Sequence, residues 1–155
     1  MSEPKPAAGT VCAHVALDLV ATNPADAIEK LAVGFGHLPG AKAPRTLAAL
    51  ALEREAQAST YLGHFTALPH ARIIGLPHLA VTFGRARTPI PWTRDGDPVD
   101  LVFFGLVPAE QPRHYLEFMR RLSRTLTNLD HAAALRSAAD EAAVRNWLRE
   151  HLLLQ

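Results

Sequence analysis

The stretch 99–107, VDLVFFGLV, constrains the fold more than any other part of this chain. Successive side chains of a strand point to opposite faces, and here nearly every position is apolar. Neither face can be left in water, so the run suits a central strand covered on both sides. Asp95-Gly96-Asp97-Pro98 supplies the turn that feeds it, and Pro108 follows it.

The cover has to come from helices, and the remaining sequence provides them. Asn23-Pro24 reads as an N-cap followed by proline at the first helical position. Ala27, Ile28, Leu31, Ala32 and Phe35 then share one face, and Gly36 ends the helix. A second helix is predicted over 45–57, with Leu47, Leu50 and Ala51 on its buried stripe. A third covers 111–127, with Tyr115, Phe118, Met119, Leu122 and Leu126 inward, and a last one runs from Asp140 to Leu153. Residues 13–20 and 79–84 read as further strands, and Pro89 and Pro91 around Ile90 as an irregular edge. Residues 1–10, with Pro4, Pro6 and Gly9, are expected to be a disordered tail, and 11–155 to form one domain. Strands separated by helices predict an α/β domain.

Charge and cysteine content exclude several functions. Sixteen Lys and Arg against fifteen Asp and Glu leave a net charge of +1, which gives no pull toward nucleic acid or anionic membrane. Cys12 is the only cysteine, so neither a disulfide framework nor a cysteine zinc cluster is possible. No stretch approaches the roughly 20 apolar residues that span a bilayer, and no signal-peptide run opens the chain. The expectation is a cytoplasmic protein without direct membrane insertion.

The chemistry is expected within 58–77, where Gly63, Pro69, Gly75 and Pro77 interrupt short apolar pieces in the manner of a functional loop. Pro69 restricts the backbone on both sides of itself and presents His70 rigidly. An imidazole is the one side chain that keeps a neutral, nucleophilic nitrogen near neutral pH. His64, His70 and His78 match no established zinc spacing, and Ser59 lacks a Gly-x-Ser-x-Gly setting. Gly34-x-Gly36 does not continue into a dinucleotide fingerprint, so no metal or other cofactor is called for. Arg113, Arg120, Arg121 and Arg124 give the third helix a basic side, read as a solvated face or a dock for an acidic partner.

Glu55, then Leu62-Gly63, then Thr66-Ala67-Leu68-Pro69-His70-Ala71 resembles the phosphorylation-site signature of type 2 enzyme IIA domains. These belong to the fructose–mannitol–nitrogen branch of the phosphoenolpyruvate-dependent phosphotransferase system. Residues 15–33 are similar to the family's opening strand and helix, and 95–122 to its central strand, proline turn and following helix. The resemblance spans 11–153 and implies a mixed sheet with helices on both faces. It implies His70 as phosphoacceptor, His114 as a supporting histidine beside it, and Arg54 as a holder of phosphoryl oxygens. It also implies the histidine phosphocarrier protein as donor.

Tyr61 stands where the family usually has glycine, which points to a rebuilt loop; Phe65 adds bulk, and Thr66 replaces an aliphatic residue. The wording of 98–111 is most similar to the nitrogen-regulatory branch, which implies a regulated partner protein downstream. Sugar uptake, with phosphate passed to a cysteine on a separate IIB protein, is the alternative. A non-phosphorylated interaction module is a third reading, motivated by Tyr61 and Phe65.

Overall fold

In the computed structural model, which describes residues 10–152 and Leu154, a six-stranded mixed sheet runs between two helical layers. The predicted tail lies outside the described residues except for Thr10, as does Leu153 at the end of the last predicted helix. The elements in order are β1 (Val11–Leu19), α1 (Pro24–Ala32), a short 3-10 turn (Val33–Phe35), α2 (Pro44–Gln57), β2 (Tyr61–Gly63) and β3 (Thr66–Ala67). Then follow β4 (His70–Ile73), β5 (Ala80–Pro91), β6 (Pro98–Pro108), α3 (Arg113–Leu126), α4 (Leu129–Ser137) and α5 (Glu141–Leu152).

Strand β6 is central, as its composition requires. It pairs antiparallel with β5 on one side and parallel with β3 and then β4 on the other. Its Val102, Phe104 and Leu106 pack with α1 and α2, while Leu101, Phe103 and Val107 pack with α3 and α5. Phe104 meets Phe35 edge-on at 5.3 Å, and Phe103 contacts Phe83 at 4.8 Å. Each such fully buried side chain stabilises the fold by roughly 1.5–3 kcal/mol relative to exposure.

Helix α1 begins as predicted, with the Asn23 side chain accepting from Asp26 N–H. It lies close to the sheet because Gly84 leaves room: a Cβ there would come within 2.7 Å of Leu19 Cδ2 and 3.0 Å of Leu31 Cδ2. Strand β5 extends past the predicted 79–84 to Pro91, with a register irregularity between Arg85 and Ile90. The prolines fall where β1 no longer flanks it, since the β1 register ends at Leu19↔Ala86.

Two local expectations need correction. Helix α4 was not foreseen; only Ala132 and Leu135 are buried on it, too weak a stripe to read, and its N-cap Asn128 accepts from the N–H groups of Asp130 and His131. The expected loop at 58–77 holds three short strands, because β3 and β4 hydrogen-bond to successive parts of β6 in a common register, Thr66↔Leu101 and His70↔Gly105. Pro69 separates the two because it has no N–H to donate, although its carbonyl still accepts from Gly105 N–H at 2.9 Å.

Candidate functional site

His70 opens β4 and is half-buried beside β6. Its ring Nδ1 lies 3.0 Å from the carbonyl oxygen of Leu68 and 2.9 Å from Oη of Tyr115. A carbonyl only accepts, so Nδ1 carries the hydrogen and Nε2 keeps its lone pair. Nε2 has no hydrogen-bond partner among the described residues. Burial pushes the ring's pKa below the usual value, opposed by the Leu68 hydrogen bond and reinforced by the charge of Arg54; Glu55 acts upward and Arg72 downward. The imidazole is therefore neutral and nucleophilic near neutral pH.

The cleft that opens onto His70 is lined by Leu50, Glu53, Arg54, Gln57, Ala71 and Arg72, and encloses about 400 Å³. Arg54 sits in the last turn of α2 and donates to the carbonyl of Ala58 at 2.8 Å. That bond leaves other guanidinium N–H groups to meet anionic oxygens.

Glu55, the next residue, anchors the chain that leads to the site. Its carboxylate accepts from Thr60 N–H at 3.0 Å, Thr60 Oγ1 at 2.6 Å and the indole Nε1 of Trp92 at 2.6 Å. The end of α2, the start of β2 and the loop after β5 are thus tied at one carboxylate.

The three expected site residues do not all converge. His70 and Arg54 share the cleft, whereas His114 lines a separate depression with Glu110, Gln111, Pro112, Arg113 and Leu116. Its Nδ1 is buried without a hydrogen-bond partner among the described residues. The side chain of α3 that touches the His70 ring is that of the adjacent Tyr115, with ring centroids 4.8 Å apart. Neighbouring side chains on a helix leave it about 100° apart, and here the phenol is the one in hydrogen-bond contact with His70. Tyr115 was legible in the sequence only as core, because its spacing with Phe118 and Leu122 is that of a buried stripe.

Tyr61 does not itself carry the special backbone expected of a glycine position. Tyr61 takes ordinary strand conformation in β2. The left-handed backbone falls on Gly63 (φ 91°), His64 (φ 52°) and Phe65 (φ 58°) at the β2–β3 turn. Cys12 is buried in β1, where burial pushes the thiol's pKa up against the nearby charge of Arg145, consistent with a packed rather than a reactive cysteine.

The family model described as the phosphoenolpyruvate-dependent sugar phosphotransferase system, EIIA 2, matches residues 12–151. The chain belongs to this type 2 enzyme IIA family. It is 32% identical over 123 residues to a nitrogen regulatory protein of Bradyrhizobium diazoefficiens, covering 79% of this chain and 80% of the relative. It is 34% identical over 100 residues to the fructose-specific EIIA component of Haloferax volcanii, covering 64% and 65%. The crystal structure of the nitrogen regulatory protein IIA-Ntr from Neisseria meningitidis superimposes with a TM-score of 0.78 at 25% identity, over 88% of this chain and 92% of that one. This IIA domain is accordingly a phosphotransferase component with a mixed α/β fold. No helix among its described residues is long and apolar enough to cross a membrane.

Proposed function

We propose that this IIA domain is a phosphohistidine carrier that accepts phosphate from the histidine phosphocarrier protein on Nε2 of His70. The observation that carries the reading is the His70 ring itself, neutral, held at Nδ1, and opening onto a cleft shared with Arg54. The Nε2 lone pair attacks phosphorus in line; the new N–P bond forms as the N–P bond to the donor's imidazole breaks, and the donor ring keeps the electron pair. Such a transfer asks mainly for positioning and charge compensation on the oxygens. Arg54 supplies the compensation, and the β4–β6 ladder supplies the positioning.

Regulation is the favoured use of the phosphate, because relatives named as nitrogen regulatory proteins match along most of this chain. A downstream regulated protein then binds one phosphorylation state. The fructose-specific relative keeps a second reading in view, in which the phosphate passes to a cysteine of a IIB protein. Both readings place the carrier in the cytoplasm, where phosphoenolpyruvate is made.

The test is labelling with phosphoenolpyruvate, enzyme I and the histidine phosphocarrier, read by intact mass. One acid-labile phosphoryl group, lost completely in a folded His70→Ala, is the expected result. No labelling of folded wild-type protein beside an active control acceptor would reject the carrier reading in favour of a bare interaction module. The pH profile checks the geometry as well. The ring protonates only below the ordinary imidazole value of about 6.5, so acceptance should persist through that pH and fall only under more acid conditions.

A further inference from the structure

Tyr115 combines core packing with a polar contact to the His70 ring. Its ring is 6% exposed and stacks on Phe118 in the core beneath α3. Its hydroxyl nevertheless reaches out of that core to within 2.9 Å of His70 Nδ1. A buried phenol oxygen needs a partner, and this is the one it has among the described residues. The floor beneath both rings is Gly105 of β6, where a Cβ would touch Tyr115 Cε2 at 3.5 Å and His70 Cβ at 3.9 Å.

The hydrogen-bond directions follow from the chemistry of the three groups. The Leu68 carbonyl, 3.0 Å from the same nitrogen, can only accept. An unprotonated Nδ1 would face its lone pair against that oxygen, so the hydrogen is on Nδ1. The phenol oxygen then takes a share of the same N–H in a three-centre bond. We propose that Tyr115 is a positioning residue for His70: with the Leu68 carbonyl it holds Nδ1–H, fixing ring rotamer and tautomer and leaving the Nε2 lone pair toward the cleft.

A tyrosine has a specific consequence here that a second imidazole would not. Burial raises the phenol's pKa well above its usual value, so the group stays neutral and cannot take the proton from His70. It is a fixed dipole beside the acceptor rather than a competing base. Accepting from Nδ1–H also favours the imidazolium over the neutral ring, so Tyr115 partly opposes the burial that lowers the His70 pKa. The charged groups that act on the ring are Arg54 and Glu55 from α2 and Arg72 from β4. All three remain in a Tyr115→Phe variant, so the comparison isolates the hydroxyl.

The phosphoryl consequence rests on the carrier reading; the tautomer does not. The experiment is therefore ring-nitrogen NMR of 15N-histidine-labelled, unphosphorylated protein across pH, in wild type and Tyr115→Phe. Wild type should show His70 as the Nδ1–H tautomer. The phenylalanine keeps the packing on Phe118 and Gly105, yet should lower the His70 titration by about half a pH unit, the size of one modest hydrogen bond. A packing role alone would not move that titration. Superimposable titrations, or an upward shift, would overturn the assignment. So would an Nε2–H tautomer in wild type, a result that needs no variant to fold. If wild type takes no phosphate but shows the shift, the carrier reading fails while the role of Tyr115 stands.

Discussion

The β2–β3 tip at His64–Phe65 and the extended link at Pro69–His70 belong to one short stretch of chain, and they are held in opposite ways. The tip turns through two consecutive non-glycine residues with positive φ, a conformation that L side chains adopt at a cost. It is restrained from across the molecule by Arg136 of α4, whose Nη2 donates to the His64 carbonyl at 3.0 Å and whose guanidinium lies 5.7 Å from the centre of the Phe65 ring. Arg136 is itself held by Asp100 through two bonds, at 2.8 and 3.1 Å. The Pro69–His70 link has no positive φ, and its backbone is carried by the β6 ladder, with the His70 ring steadied by Leu68 and Tyr115. Among the described residues, the non-glycine positive φ angles fall at the tip and not at Pro69–His70. The His70 imidazole stands at the start of β4, a short strand hydrogen-bonded to the central β6.

Three substitutions test this contrast. The largest effect belongs to the acceptor side. Arg54→Ala should slow phosphate acceptance by about a hundredfold, the usual cost of losing one preorganised donor to a developing charge. Its thermal midpoint should barely move, since Arg54 bonds only the nearby Ala58 carbonyl. Rapid-quench labelling measures the rate, and a change of less than a few-fold would shift the oxygen-holding role to Arg72.

Arg136→Ala acts on the tip instead. Its pair with Asp100 is about a quarter to a third exposed (31% and 23%), so solvent screening reduces what it contributes. The loss should be about 1–2 kcal/mol, seen as a fall of a few degrees in the thermal midpoint. Amide exchange should accelerate at 63–66 and stay slow at 70–73, with acceptance by His70 near wild type. Equal acceleration in both segments would show that tip and acceptor move as one unit.

His64→Gly gives the smallest effect and the opposite sign. It relieves the positive φ, partly offset by the greater freedom of glycine in the unfolded chain, for a net gain of about half a kcal/mol. Denaturant titration resolves that difference. A loss of stability would mean that the His64 side chain contributes to the tip beyond its backbone geometry.

Much of this architecture was legible before any coordinates. The apolar run 99–107 required a doubly covered strand, and Asn23-Pro24 required a helix start; both are local statements about burial and backbone geometry. The Glu55-to-Ala71 pattern pointed to the family and to His70 and Arg54, which do share a cleft. Helix α4 escaped notice because its sparse buried stripe cannot be told from a polar linker. Strands β2 to β4 escaped because segments of two to four residues acquire their identity from β6 rather than from their own composition.

The sequence by itself determined that an imidazole follows a proline at the rim of a covered sheet, since chain chemistry and periodicity act over a few residues. Only the tertiary structure decided which side chain meets that imidazole. His114 and Tyr115 are adjacent in sequence, and the packing of α3 beside β6 brings the Tyr115 hydroxyl to within 2.9 Å of the His70 ring, a contact that no local pattern encodes.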